Sequence, residues 1–333
     1  MFNHVQHRVV QAPMAGASTP DLAVAVCNAG GLGFVALGAL DATGAGKAIR
    51  AVRQGTDRVF GVNLFCHAPA RRDPAQEAAW IDSLRPAFGR FGAVPPTTLT
   101  EIYPSFRGND AMLQVLLAER PAIVGCHFGL PAPDQVAALK GAGCRLWATA
   151  TSVPEGQAIV DAGFDAIVAQ GWEAGGHRGI FDPDGPDPMT DHAALVRALL
   201  PLGLPVVAAG AIMDRTAARA AMGAGAVAVQ CGTAFLRAPE AATSAPHRAA
   251  LSGGQTVMTR AISGRPARCL RNDFTDIDGV GAADYPVAYD IGKALNAAAL
   301  AQGHAGYGAF WAGTGVADSI ARPAADTVLA ISP

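Results

Sequence analysis

The sequence predicts an α/β fold, a (β/α)₈ TIM barrel with a smaller second α/β domain over the barrel mouth. Three observations lead there. Short apolar runs recur eight times along the chain. They alternate with alanine-rich amphipathic segments, the pattern of parallel strands buried on both faces between crossover helices. At 333 residues the chain is also long enough for a barrel of about 250 residues with additions. An open doubly wound sheet is the alternative.

The eight runs occupy residues 9–14, 32–37, 59–65, 122–128, 145–150, 166–170, 205–210 and 226–230. Helix signals fall between them. Thr19 and Pro20 open a helix that Gly30 and Gly31 close, and residues 131–140 read as a helix ending at Gly141. Ser152, Pro154 and Glu155 open the next, and Asp214 another that closes at Gly223. Two regions break the repeat. Residues 66–121 form an enlarged βα unit with helices over 73–83 and 110–117 around a strand-like 93–103. From Arg237 onward the composition changes: 237–249 reads as helix and 256–262 as a short strand. We therefore assign 237–311 to a smaller substrate-side cap domain, and 1–236 with 312–333 to the barrel.

Composition narrows the function. Half the residues are apolar and 16% are charged, so a large core is available and disorder is disfavoured. With a net charge of −2 and no Lys/Arg run, no nucleic-acid footprint is expected. The six cysteines show no CxxC spacing and several sit in apolar runs, as small core residues of a reducing compartment do. The N-terminus lacks an apolar signal region, and no stretch reaches the ~18 apolar residues of a membrane span. A cytoplasmic enzyme with a small-molecule partner is the expectation.

In such barrels the site is built at the carboxyl ends of the strands, with phosphate commonly bound after strands seven and eight. Here those loops hold Gly210 and Ala211, then Gln230, Cys231, Gly232 and Thr233. Small residues there expose backbone N–H groups and a hydroxyl, a phosphate seat without a Walker lysine. Pro13, Met14 and Ala15 offer further backbone to the edge of a flat heterocycle. Asn63 and Gln170 end their strands with amides suited to a flavin's pyrimidine edge or ribityl chain.

After the sixth strand, Gly175, Gly176 and Gly179 flank His177 in a turn that lets a ligand approach the backbone closely, beside a group able to exchange protons near neutral pH. His127 ends the fourth strand and also points to the mouth. Tyr285, Tyr289 and Lys293 share one face if residues 285–300 are helical. That face could present phenols and an ammonium to an anionic substrate. A structural bond for each histidine or amide, and a packing stripe for the tyrosines, are the plainer alternatives. Cys66 with His67 and Cys126 with His127 cannot each converge on one ion, because strand neighbours face opposite sides. No metal site is expected.

With these residues in view the chain resembles the nitronate monooxygenase family, formerly 2-nitropropane dioxygenases, nearly end to end. The resemblance rests on Gln11-Ala12-Pro13-Met14-Ala15-Gly16, Val62-Asn63-Leu64-Phe65, His127-Phe128-Gly129-Leu130-Pro131 and the segment from Ala169 to Gly179. The Val206 to Gly210 and Gln230 to Thr233 segments, Ser263-Gly264-Arg265 and Trp311-Ala312-Gly313 complete it.

It implies an FMN enzyme that oxidises alkyl nitronates, such as propionate 3-nitronate, with O₂ to a carbonyl compound and nitrite by one-electron transfer to the flavin. A homodimer is the assembly to be tested. Asn63, Gln170, Gly175, Gly210 and residues 230–233 would hold FMN, with His177 at its reactive ring as catalytic residue. His127, Tyr285, Tyr289 and Lys293 would bind substrate. Ala211 stands where the family commonly has a second glycine, and Thr314 where glutamine is frequent. The competing readings are an NAD(P)H-dependent flavin reductase of the enoyl-acyl-carrier-protein or quinone type, a non-catalytic FMN-binding protein, and a flavin-free metal hydrolase.

Overall fold

The computed structural model describes residues 5–333, so residues 1–4 of the N-terminal reading lie outside it. Eight parallel strands form the barrel: β1 Val9–Gln11, β2 Phe34–Ala36, β3 Gly61–Phe65, β4 Ile123–His127, β5 Arg145–Ala150, β6 Ala166–Gln170, β8 Val206–Ala209 and β9 Ala228–Cys231. Their order is β1-β9-β8-β6-β5-β4-β3-β2, and a parallel bridge from Val10 to Leu32 brings the two ends together. This closure excludes the open doubly wound sheet. Each of the eight apolar runs supplied one barrel strand.

The helices start where short polar side chains can accept the unpaired N–H groups of a first turn. Thr19 accepts from Leu22 at the head of α1 (Pro20–Asn28), and Asp214 from Ala217 at the head of α8 (Arg215–Gly223). Ser152 does the same for α6 (Val153–Asp161). α2 (Ala42–Gly55), α5 (Pro133–Gly141), α7 (His192–Leu199) and α11 (Ala324–Ile331) complete the outer ring with α4 (Asp110–Glu119).

Apolar residues fill three layers. One lies between barrel and outer helices and contains Leu22, Ile49, Val62 and Leu146. A second fills the barrel interior with Val10, Phe34, Ile123, Trp147 and Val207, and the rings of Phe34 and Trp147 lie 5.6 Å apart. A third lies over the mouth. There α3 (Pro74–Gly89) packs on α10 (Val287–Ala301), with Trp80 and Leu84 joining Phe274, Ile291 and Leu295 in one cluster. The excursion after β3 thus contributes to the cover of the mouth. A three-stranded antiparallel sheet, β10 (Thr256–Thr259), β11 (Ala267–Leu270) and β7 (Gly176–His177), lies in the same region.

Three expectations change. Residues 93–103 form no strand, because Pro95 and Pro96 supply no N–H to a ladder. Residues 237–249 are not one helix. Pro239 interrupts it and Ser244 caps a fresh start at α9 (Ala245–Ala250). The last cap helix begins at Val287, so Tyr285 precedes it, the residue before a proline being disfavoured in helical geometry.

Ile123, at the base of β4, is 5% exposed and far along the strand from the mouth. Ile123→Ala should cost about 2–5 kcal/mol of stability, read as a lower Tm, with ligand affinity unchanged.

Candidate active site

At the carboxyl ends of the strands lies a cavity of about 640 Å³. Every residue singled out for a site lines it: Pro13, Met14 and Ala15 after β1, Asn63 on β3, His127 on β4 and Gln170 on β6. Gly175, Gly176 and His177 follow, with Gly210 and Ala211 after β8, Gln230 to Thr233 on and after β9, and Tyr285, Tyr289 and Lys293 from the cap. The barrel brings the mouth residues together, and Tyr285 with α10 adds the last three to the same lining.

The His177 turn is fixed from three directions. Its strand pairs with β11, His177 against Ala267 and Gly176 against Arg268. The Gln170 Nε2 donates to the His177 carbonyl at 2.9 Å, while its Oε1 accepts from the Gly179 N–H at 2.7 Å and from Arg178 Nη1 at 3.3 Å. Arg178, itself buried, is ion-paired with Asp187 at 2.7 Å. Gly175 has a steric reason to be glycine: a Cβ there would come within 2.4 Å of the Ala312 carbonyl carbon and the Gly313 nitrogen.

His127 is held by bonds of its own. Its Nε2 lies 3.3 Å from the His177 carbonyl oxygen, which can only accept, so Nε2 carries the proton and Nδ1 accepts from Thr149 Oγ1 at 2.9 Å. Both nitrogens are therefore engaged, and His127 supports the turn that carries His177. The His177 Nε2 is hydrogen-bonded to Ser263 Oγ at 2.8 Å, and that hydroxyl also reaches the Arg265 carbonyl oxygen at 3.3 Å.

Rings surround His177. Trp311 lies 4.9 Å away, Tyr285 5.5 Å, Phe128 5.6 Å and Tyr289 6.1 Å. Burial in this wall, aided by the nearby Arg265 cation, pulls the pKa of both His127 and His177 down to about 3. Burial likewise raises the phenols of Tyr285 and Tyr289, so both stay protonated. Lys293 is exposed at the mouth, its Nζ 4.6 Å from the Tyr103 ring centre. No aspartate or glutamate lines the cavity among the described residues.

The chain bends sharply at two strand ends. Phe128 follows β4 with φ +72°, a costly conformation for a bulky residue, and Ala211 follows Gly210 with φ +49°. Ala211 thus holds a left-handed conformation that glycine would adopt more easily. Cys231, at the end of β9, lines the cavity as a buried thiol whose pKa is pushed up to about 12.

Three functional neighbours escaped sequence reasoning. Tyr103 reaches the mouth from the excursion, where a lone aromatic beside Pro104 was the one signal. Ser263 and Arg265 are brought towards His177 by the pairing of β11 with β7, and their Ser-Gly-Arg turn carries no signal of that role in the sequence. No group of His, Cys, Asp and Glu suited to a metal ion occurs among the described residues, and no helix there is long and apolar enough to cross a membrane.

Fold and site together make a (β/α)₈ barrel whose candidate active site is walled by rings and, among the described residues, holds no carboxylate. The nitronate monooxygenase family profile matches residues 1–330. A nitronate monooxygenase of Paraburkholderia phytofirmans is 52% identical over 328 residues, covering 96% of this chain and 90% of that protein. One of Pseudomonas aeruginosa is 50% identical over 330 residues, covering 97% and 94%. Among solved structures, nitroalkane oxidase from Streptomyces ansochromogenes superposes with a TM-score of 0.92 at 36% identity, covering 99% of this chain and 95% of that one. FabK from Thermotoga maritima gives 0.75 at 28% identity, covering 99% and 93%. The chain belongs to the nitronate monooxygenase family, oxidoreductases that act on nitronates.

Two histidines held neutral make a prediction about acid stability. Their folded pKa values, about 3, lie below the unfolded value of about 6.5, so the unfolded chain binds more protons between these limits. Stability should be level above pH 6.5 and fall as pH drops from 6.5 towards 3. Tm measured from pH 8 to 4.5, above the carboxylate range, checks this; a flat profile there contradicts neutral imidazoles.

Proposed function

We propose that the chain oxidises alkyl nitronates with O₂, propionate 3-nitronate among them, giving a carbonyl compound and nitrite, with FMN as cofactor. The observation that carries this reading is the sign of the chamber: no carboxylate among the described residues, three imidazoles (His127, His177 and His247) that burial keeps neutral, the protonated phenols of Tyr285 and Tyr289, and one mouth lysine. Such a site favours a substrate that arrives as an anion.

The residues fit FMN. A cavity of about 640 Å³ is within the range of ~300–1,000 Å³ usual for ligands of this size. The bend at Gly210 and Ala211, with Gly232 and the Thr233 hydroxyl, suits a phosphate through N–H and O–H donors. Thr233 Oγ1 already accepts from the Gly313 N–H at 2.9 Å, which leaves its own hydrogen to donate. Asn63 and the strand-end backbone at Pro13, Met14 and Ala15 face the same space and would meet the ring system. When bound, FMN supplies the acceptor for one electron from the nitronate.

The chain's own residues do the remainder. Lys293 and the two phenols orient the nitronate oxygens by charge and hydrogen bonding. Trp311, Tyr285 and Phe128 exclude water around His177. A nitronate is already a carbanion equivalent and needs no base. His177, protonated only near pH 3, is a weak base, so a neutral nitroalkane should react slowly.

Two experiments test the reading. The purified protein should be yellow, and propionate 3-nitronate should bleach it without O₂ while NADPH should not; bleaching by NADPH alone would establish the reductase reading instead. His177→Asn should lower turnover of a neutral nitroalkane at least tenfold more than turnover of its nitronate, the usual scale for losing a general base being 10²–10⁴. Equal losses would remove His177 from any proton transfer.

A further inference from the structure

Arg265 is buried, with 2% of its surface exposed, at the turn between β10 and β11. Its guanidinium carbon lies 4.3 Å above the Phe128 ring centre and 6.0 Å from that of Tyr285. Nη2 donates to the Ile180 carbonyl oxygen, and Nε has no hydrogen-bond partner among the described residues. No carboxylate there lies within ion-pair distance of it; Asp284 and Glu155 act on it only from further off, and Arg260 opposes them. A buried charge without a counter-ion is costly and is seldom kept for stability alone. The same Phe128 ring packs against His127 at 4.4 Å, Tyr285 at 5.3 Å and His177 at 5.6 Å.

We propose that Arg265 is the fixed cation of the reaction chamber, a positioning residue whose charge selects anionic over neutral substrates without touching them. The missing counter-ion is then the ligand itself. Phe128 links the two: its ring lines the chamber and packs against the guanidinium, which is not itself among the lining residues. Lys293 sits exposed at the mouth, where solvent screens it, while Arg265 is shielded and its field reaches the chamber through low-dielectric rings. The same charge disfavours a second cation on His177, His127 or His67, three imidazoles that feel it. The other groups facing them are Arg178 for His127, Glu101 for His67, and Ser263, Tyr285 and Tyr289 for His177.

The proposal rests on the anionic-substrate reading, and the test separates the two. Arg265→Gln keeps an N–H donor for the Ile180 carbonyl and removes the charge; Arg265→Lys keeps a charge. Three quantities are measured on the full-length, FMN-loaded protein: KM and kcat for propane-2-nitronate and for neutral 2-nitropropane, the Kd of nitrite by calorimetry, and the pH titration of histidine ring resonances by NMR.

We expect Arg265→Gln to raise the nitronate KM and the nitrite Kd about tenfold, the scale of one unit charge roughly 12 Å away at an effective dielectric near 20, with the 2-nitropropane KM within twofold. Arg265→Lys should recover most of the nitrite affinity. The His177 and His127 rings should stay neutral to pH 5 in the natural protein and begin to protonate at higher pH in Arg265→Gln. Equal losses for anion and neutral substrate, with unmoved ring titrations, would overturn the proposal and leave Arg265 a packing residue. If Arg265→Gln does not fold, rings that titrate near pH 6.5 in the natural protein, or nitrite affinity unchanged in Arg265→Lys when that lysine is shown to be neutral, overturn it as well. Absence of nitronate turnover in the natural protein would defeat the functional reading, while nitrite binding and the ring titrations would still decide the role of Arg265.

Discussion

The pairing of Gly176 and His177 with Arg268 and Ala267 is the constraint on which the site depends. It takes a turn that leaves the sixth barrel strand and makes it the edge of a sheet formed by a distant part of the chain. Ser263 and Arg265 are carried to His177 by that pairing alone. The turn is closed from the barrel side by Gln170, whose amide is spent on the Gly179 N–H and the His177 carbonyl. Gly175 then brings backbone against the Ala312 and Gly313 backbone, an approach any side chain would block. The His177 backbone is thus located from two sides, and its ring is held by Ser263.

Electrostatics follow from the same enclosure. A chain with 16% charged residues can wall a chamber with aromatic rings and small residues, and the groups that remain inside are forced into their uncharged forms. Desolvation does most of this; the buried cation adds to it. Hydrogen-bond capacity is retained while counter-charge is not, which suits recognition of an anion by donors. The cap and the barrel contribute different halves of that arrangement: neutral donors and backbone from the strand ends, phenols and cations from the cover.

The barrel was legible because its signals are local. Continuous apolar runs, polar caps and closing glycines each follow from a few neighbouring residues, and all eight strands were found where those runs lie. The strand-end residues of the cavity were legible for the same reason, since barrel geometry fixes which end of a strand faces the mouth. The cover was not. Pro95, Pro96 and Pro239 broke an expected strand and an expected helix by removing N–H donors that hydropathy patterns do not register. Tyr103, Ser263 and Arg265 reach the site only through contacts between segments far apart in sequence, and no spacing rule links them to His177. Tyr285, expected on a helical face, lines the cavity from the residue before Pro286.

The Cys231 thiol gives the chamber a further property. It lines a cavity in which oxygen chemistry is proposed, a location where a sulfur atom would be a natural target for peroxide and related by-products. Only the thiolate reacts rapidly with such oxidants, and burial holds Cys231 in the thiol form far above neutral pH. The enclosure that sets the state of the imidazoles therefore also keeps the Cys231 sulfur in its less reactive, protonated form.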